Sequence, residues 1–206
     1  MTQRMIGLTG GIATGKTLVS DYLGQTYNLP ILDADVLARE AVDPAFAEIH
    51  GGKILKAIAA HFGSDVLKPD RTLNRAKLGE LVFTNPDQRN WLEAQIHPYV
   101  RDRLVALAAN YAPQTVVMAI PLLFEAKLTD LVTEIWLVVC EPEQQLQRLI
   151  ARNNLSIDQA KQRIDAQMPL VEKVPLADYV LDNSAQPEDL YAQVDRLISA
   201  QENKNA

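Results

Sequence analysis

The run Gly10-Gly11-Ile12-Ala13-Thr14-Gly15-Lys16-Thr17 constrains this chain more than any other stretch. It follows the apolar segment Met5-Ile6-Gly7-Leu8-Thr9 and satisfies G-x4-G-K-T, the Walker A pattern, at every required position. Glycines in such a loop let successive N–H groups turn inward around phosphate oxygens. The loop then enters a helix-compatible stretch, 18–23, whose N-terminal dipole favours the same negative charge. Lys16 has the reach to meet β- and γ-phosphates, and the Thr17 hydroxyl offers one ligand to Mg2+. A glycine-rich turn ending by chance in Lys-Thr would not need a strand before it and a helix after it, and both are present here. The expected first ligand is a nucleoside triphosphate.

Strand-length apolar runs recur at 5–9, 29–32, 115–123, 135–140 and 179–181, separated by longer helix-compatible stretches. Continuous rather than alternating apolarity implies strands covered on both faces, so the rhythm predicts an α/β fold with a parallel sheet. A length of 206 residues suits one such domain. Ligands in these folds bind outside the carboxyl ends of the strands, so Gly10 and Asp33 are expected in one crevice. The stretch from about 35 to 112 is too long for a simple crossover and reads as a helical insertion, a natural place for a second substrate. The core is then expected in 1–34, 113–142 and 168–200, with a lid at about 143–167. Helix starts are marked by Asn85-Pro86-Asp87-Gln88, with an Asn cap, a first-turn proline and a Gln placed to reach back. Ser156-Ile157-Asp158-Gln159 reads as a capping box, and Pro142 and Pro187 suit first turns. The polar tail 201–206 is expected to fray.

A formal net charge of -6 argues against a chain that coats nucleic acid, which needs a basic footprint. It leaves room for a small polyphosphate held by a few converging cations. The single cysteine, Cys140, excludes an intramolecular disulfide and a four-cysteine zinc site, and its apolar setting predicts a buried thiol. No apolar run approaches the roughly 20 residues of a membrane span, so no membrane partner is expected and the cytoplasm is the expected compartment. His50, His61 and His97 show no metal-ligand spacing.

Asp33-Ala34-Asp35 follows Pro30-Ile31-Leu32 and places two carboxylates at a strand end. In a kinase such a carboxylate orients an acceptor hydroxyl and takes its proton. The reading here gives that work to Asp33 and makes Asp35 a helix cap or a water-mediated metal partner. Arg148 and Arg152 lie four apart on one helical face, and Arg163 follows in the next helix. Joined through Asn153-Asn154, these helices have the form of a lid that brings guanidinium groups to a transferring phosphate, although each arginine also has carboxylate neighbours to pair with. His97-Pro98 lies inside an apolar-periodic stretch. Proline there predicts a kink that aims His97 and Arg101 away from a regular helix, toward an acceptor or simply as a structural bend.

Taken together, these residues resemble the dephospho-coenzyme A kinase family. The resemblance spans nearly the whole chain: Leu8-Thr9-Gly10-Gly11-Ile12 leading into the loop, Asp33-Ala34-Asp35, Ile96-His97-Pro98, Pro121-Leu122-Leu123-Phe124-Glu125, Gln167-Met168-Pro169, and Ala177-Asp178-Tyr179-Val180-Leu181-Asp182-Asn183. It implies a P-loop kinase fold with a five-stranded parallel core, a helical acceptor-binding insertion and a helical lid. The implied reaction moves the γ-phosphoryl group of ATP, with Mg2+, to the 3'-hydroxyl of dephospho-coenzyme A. Gly10, Gly11, Ala13, Thr14, Gly15, Lys16, Thr17 and Leu18 would hold ATP, with Asn183 at its adenine end. Asp33 would be the base, and Lys16, Arg148 and Arg152 would serve the transfer. Asp33, Arg39, His97, Arg101, Leu122, Leu123, Phe124 and Arg163 would border the acceptor, and Thr17 would be the metal ligand. The chain is expected to act as a monomer or small homo-oligomer. Two positions depart from the family pattern: Ala13 replaces the usual glycine, and Ala119 stands where many members carry an acid. The rival reading is a P-loop kinase of a nucleoside monophosphate or another small hydroxylated metabolite. A GTPase switch lacks its Asn-Lys-x-Asp signature, and a dinucleotide-binding oxidoreductase lacks G-x-G-x-x-G.

Overall fold

Five strands, β1 (Met5–Gly10), β2 (Ile31–Asp33), β3 (Val116–Ala119), β4 (Glu134–Val139) and β5 (Tyr179–Asp182), form one sheet in the order β2-β3-β1-β4-β5. The computed structural model describes residues 3–46, 52–83 and 85–205. The pairs β1–β3, β1–β4 and β4–β5 are parallel, with Leu8 opposite Ala119 on one side and Trp136 on the other. Ile6, Leu8, Val117, Leu137 and Val138 are wholly buried, as continuous apolar strands between two helical layers must be.

The helices are α1 (Lys16–Tyr27), α2 (Ala34–Glu40), α3 (Gly52–Phe62), α4 (Arg75–Phe83), α5 (Pro86–Ala109), α6 (Pro142–Asn153), α7 (Ile157–Asp165), α8 (Leu170–Lys173) and α9 (Pro187–Asn205). The chain packs as two compact units. One comprises Met1–Leu32 with Ala108–Ala206, and the other Asp33–Leu107. In the first, Val19 and Leu23 of α1 and Leu190, Val194 and Ile198 of α9 close over β1 and β4 around Trp136. Tyr22 stacks on Tyr191 with ring centroids 4.2 Å apart, and the Tyr22 and Tyr27 hydroxyls both donate to Asp195. In the second, Leu55, Ile58, Val66, Leu73 and Leu78 form a separate apolar cluster. There Glu40 accepts from Arg103 Nε at 2.7 Å and from the Tyr99 hydroxyl, joining α2 to α5.

Element boundaries differ from the sequence expectations where proline intervenes. β2 starts at Ile31 rather than at 29, because Pro30 has no N–H to give, although its carbonyl still accepts from Val117 N. β3 stops at Ala119, short of 123. Ile120 N bonds to Leu8 O, Pro121 breaks the ladder, and the chain turns through 121–127. Helix α5 runs as one element through His97 and Pro98, the proline lying inside it. Ser156 and Gln159 form the expected capping box, and Asn85 Oδ1 accepts from the N–H groups of Asp87 and Gln88. The Gln88 side chain does not reach back; its Oε1 meets His61 Nε2 at 2.6 Å. The tail expected to fray is helical through Asn205, the end of α9. No helix among the described residues is long and apolar enough to cross a membrane.

Candidate functional site

β1 is the central strand, and its last residue, Gly10, pairs with Val138. A Cβ at Gly10 would lie 2.7 Å from the Val138 carbonyl, so the strand can turn into the loop beside β4 only with glycine there. Thr14, fully buried, ties the turn by donating from both N and Oγ1 to Gly11 O. On either side of it, Ala13 (φ 62°) and Gly15 (φ 109°) take left-handed backbone conformations. Such residues alternating with ordinary ones make a concave nest of inward N–H groups. α1 begins at once, with no side-chain cap on Gly15 and no acid in its first turn. Its first N–H groups therefore face the nest without a partner of their own from a cap, which suits phosphate oxygens.

Three side chains from distant parts of the sequence hold this loop in shape, and a fourth holds one of them. Gln145 Nε2 donates to Ile12 O at 2.9 Å, while Ile12 N donates to Gln167 Oε1 at 2.8 Å. Asn183, directly after β5, donates from Nδ2 to Thr14 O at 2.8 Å. A Cβ on Gly15 would meet that same Nδ2 at 2.1 Å, so the brace and the glycine require each other. Arg148 donates from Nη2 to Asn183 O at 3.0 Å, and its Nη1 is buried without a hydrogen-bond partner among the described residues. A buried guanidinium N–H left unmatched is costly unless an anion completes it. Burial raises the neighbouring Cys140 thiol above its ordinary pKa, with the Arg148 charge opposing. That thiol is buried, as its apolar context implied.

The structure thus gathers Gly10, Gly11, Ala13, Thr14, Gly15, Lys16, Thr17, Arg148 and Asn183 around one loop. Lys16 is partly buried and Thr17 exposed in the first turn of α1, while the Leu18 side chain packs on the apolar core. Gln145 was missed in the sequence, where a buried glutamine three residues before Arg148 carries no motif. Arg152, expected on the same functional face as Arg148, is instead exposed at the end of α6 and donates to Asn153 Oδ1. Arg163 is partly buried on α7. In the 121–127 turn Leu122 and Phe124 are partly exposed, but Leu123 is wholly buried, so its side chain serves the core rather than a ligand. Glu125 Oε1 receives Met168 N at 3.1 Å and the fully buried Lys173 Nζ at 2.8 Å, fastening this turn to the segment after α7.

In the helical unit, Asp33 is the N-cap of α2 and accepts from Asp35 N at 2.8 Å. The cap expected of Asp35 therefore belongs to Asp33, because the chain leaves extended backbone one residue before the helix begins. Arg39 is exposed on α2, and His97 and Arg101 are partly buried on α5. His50 lies outside the described residues. Ala119 is fully buried, and no cluster of three or more His, Cys, Asp or Glu among the described residues suits a metal ion.

A Walker A nest at the carboxyl end of the central strand of a parallel sheet, braced by Asn183, which Arg148 holds in turn, defines a P-loop kinase. The fold agrees: shikimate kinase from Bacteroides thetaiotaomicron superposes with a TM-score of 0.52 at 18% identity, covering 97% of this chain and 98% of that one. The dephospho-CoA kinase family model matches residues 4–189, and the chain belongs to that family. It is 54% identical over 199 residues to the dephospho-CoA kinase of Trichormus variabilis, covering 97% of this chain and 98% of that one. Its identity to the Synechocystis sp. dephospho-CoA kinase is 56% over 193 residues, 93% of each chain. The solved dephospho-CoA kinase of Campylobacter jejuni matches with a TM-score of 0.71 at 25% identity over the whole of both chains.

Proposed function

We propose that the protein transfers the γ-phosphoryl group of ATP to the 3'-hydroxyl of dephospho-CoA, giving CoA and ADP. The observation that carries this reading is the braced loop: a nest of N–H groups with Lys16 in the first turn of α1 and the orphaned Nη1 of Arg148 beside it. Lys16 neutralises the β- and γ-phosphates, and Arg148 offers its unmatched N–H to the charge that spreads over the transferring group. Arg152, exposed and bonded to Asn153, is left out of this assignment. Mg2+, when bound to the phosphates, supplies further neutralisation of their charge, and the Thr17 hydroxyl is the protein ligand we assign to it. With alanine at 119, β3 offers no carboxylate there, and phosphate oxygens and waters would have to complete that shell.

Asp33 is assigned as the group that orients the acceptor hydroxyl and takes its proton. The cap engages Oδ1 with a backbone N–H, which fixes the carboxylate at the end of β2 and holds its orientation. The lone buried thiol and the acidic surface suit a reducing cytoplasm. In steady-state kinetics, Asp33→Asn should lower kcat by at least about a hundredfold with the KM for ATP nearly unchanged. The amide Oδ1 can still cap α2, so a fall caused by lost folding would show separately in the melting temperature. Turnover close to that of the natural chain would remove Asp33 from the chemistry.

A further inference from the structure

Ala13 keeps a left-handed backbone, φ 62°, that a residue with a Cβ enters at a cost. A conformation of that kind persists only where its surroundings over-determine it. The peptide groups on either side of Ala13 set its torsions. The one that follows is held within the loop, where Thr14 N donates to Gly11 O at 3.2 Å. The one that precedes it carries the Ile12 carbonyl and is held from outside, by Gln145 Nε2 at 2.9 Å. One peptide further back, Ile12 N donates to Gln167 Oε1 at 2.8 Å.

Both glutamines are themselves fixed. Gln145 is 5% exposed on α6, with its own N–H bonded to Glu141 O. A Cβ on Gly11 would lie 2.7 Å from Gln145 Nε2 and 3.3 Å from Leu170 Cδ2, so glycine at 11 lets α6 and α8 close on the loop. Gln167 is followed by Met168, whose N–H donates to Glu125 Oε1, and the same oxygen lies 2.8 Å from Nζ of the wholly buried Lys173. Loss of either partner would strand a charge, so this pair pins the segment that presents Gln167. One glutamine near the start of the α6–α7 segment and another just past its end thus grip a single loop residue, Ile12. Being neutral amides, they shape the nest and leave its charge to Lys16.

We infer that Gln145 and Gln167 are positioning residues for ATP, resting on the loop as the ATP site of the proposed kinase. By holding the two peptide groups of Ile12 they keep Ala13 left-handed before the nucleotide arrives, so the nest is shaped in advance rather than by its ligand. Alanine at 13 is what makes the grip necessary in this chain, since glycine enters the left-handed region as readily as the right-handed one. Released from the glutamines, Ala13 relaxes out of that region, and part of the binding energy of ATP is then spent on restoring it.

The experiment is equilibrium titration of the full chain with Mg2+ and ATP, by calorimetry, for Gln145→Met and Gln167→Met, each with Ala13 and with Ala13→Gly. Melting temperatures are followed in parallel. With Ala13 present, either substitution should weaken ATP binding at least about fivefold, the scale of one such hydrogen bond. With Ala13→Gly present, the same substitution should weaken it less than about twofold relative to Ala13→Gly alone, because the strain it releases is gone. Unchanged ATP binding in both glutamine variants would overturn the inference. Equal losses with alanine and with glycine at 13 would do the same, since the glutamines would then act by some route other than the Ala13 backbone. Gln167 is partly exposed, so its variant carries the comparison even if Gln145→Met melts too low to titrate. A natural chain that binds no ATP would sink the reading of the loop together with the inference. The expected pattern in a chain that fails to phosphorylate dephospho-CoA would uphold the inference and sink only the acceptor assignment.

Discussion

At position 13 the phosphate loop departs from its usual chemistry. Ala13 takes φ 62°, a left-handed conformation in which its Cβ crowds the following carbonyl, at a cost of roughly 1–2 kcal/mol. Its two neighbours in the nest lie differently: Thr14 is buried and doubly bonded to Gly11, and Gly15 has no Cβ to crowd. Ala13→Gly should therefore raise the unfolding free energy by up to about 1 kcal/mol, because relief of the strain exceeds the extra chain entropy glycine loses, about 0.5–1 kcal/mol. In urea this appears as a higher midpoint at an unchanged slope. A loss of stability of similar size would contradict the strain. The sequence showed that a Cβ had to be accommodated at this position, but not that the backbone would be left-handed there. That depends on Asn183 and Gln145 pulling on the loop carbonyls from elements more than a hundred residues away.

Among the elements, the helical unit is held at one end by Glu40 of α2, which receives both Tyr99 and Arg103 of α5. Burial first, and the Glu40 hydrogen bond second, push the Tyr99 phenol up to about 12. An unfolded tyrosine loses its proton near about 10, so between pH 10 and 12 the unfolded chain binds fewer protons than the folded one and stability falls as pH rises. The stability difference between the natural chain and Tyr99→Phe, followed by chemical denaturation, should be constant below pH 10 and shrink toward pH 12. A difference that stays constant across that range would contradict this account of the Tyr99 environment. The starts of α5, α6, α7 and α9 were legible in advance, since Asn85, Pro142, Ser156 and Pro187 act through neighbours within one turn. What was not legible depends on partners brought by the fold. Gln88 turns to His61 instead of its own helix end, Leu123 faces the core, and Asp33 takes the cap two residues before the position chosen for it.

For the whole molecule, the β-α rhythm and the apolar strands specified a parallel sheet, and the order β2-β3-β1-β4-β5 puts the loop-bearing strand at its centre. The Walker pattern alone spoke only for the donor. The helical unit was legible only through short segments such as Asp33-Ala34-Asp35 and Ile96-His97-Pro98, because a cavity lined from α2, α4 and α5 has no local signature. The claim that ties the two sides together is the identity of the acceptor. Release of ADP from ATP and Mg2+ should be measured with dephospho-CoA, AMP, CMP and shikimate as acceptors at equal concentration. The account predicts fast release with dephospho-CoA alone, with CoA as the product; an equal or faster rate with a nucleoside monophosphate or with shikimate would contradict it.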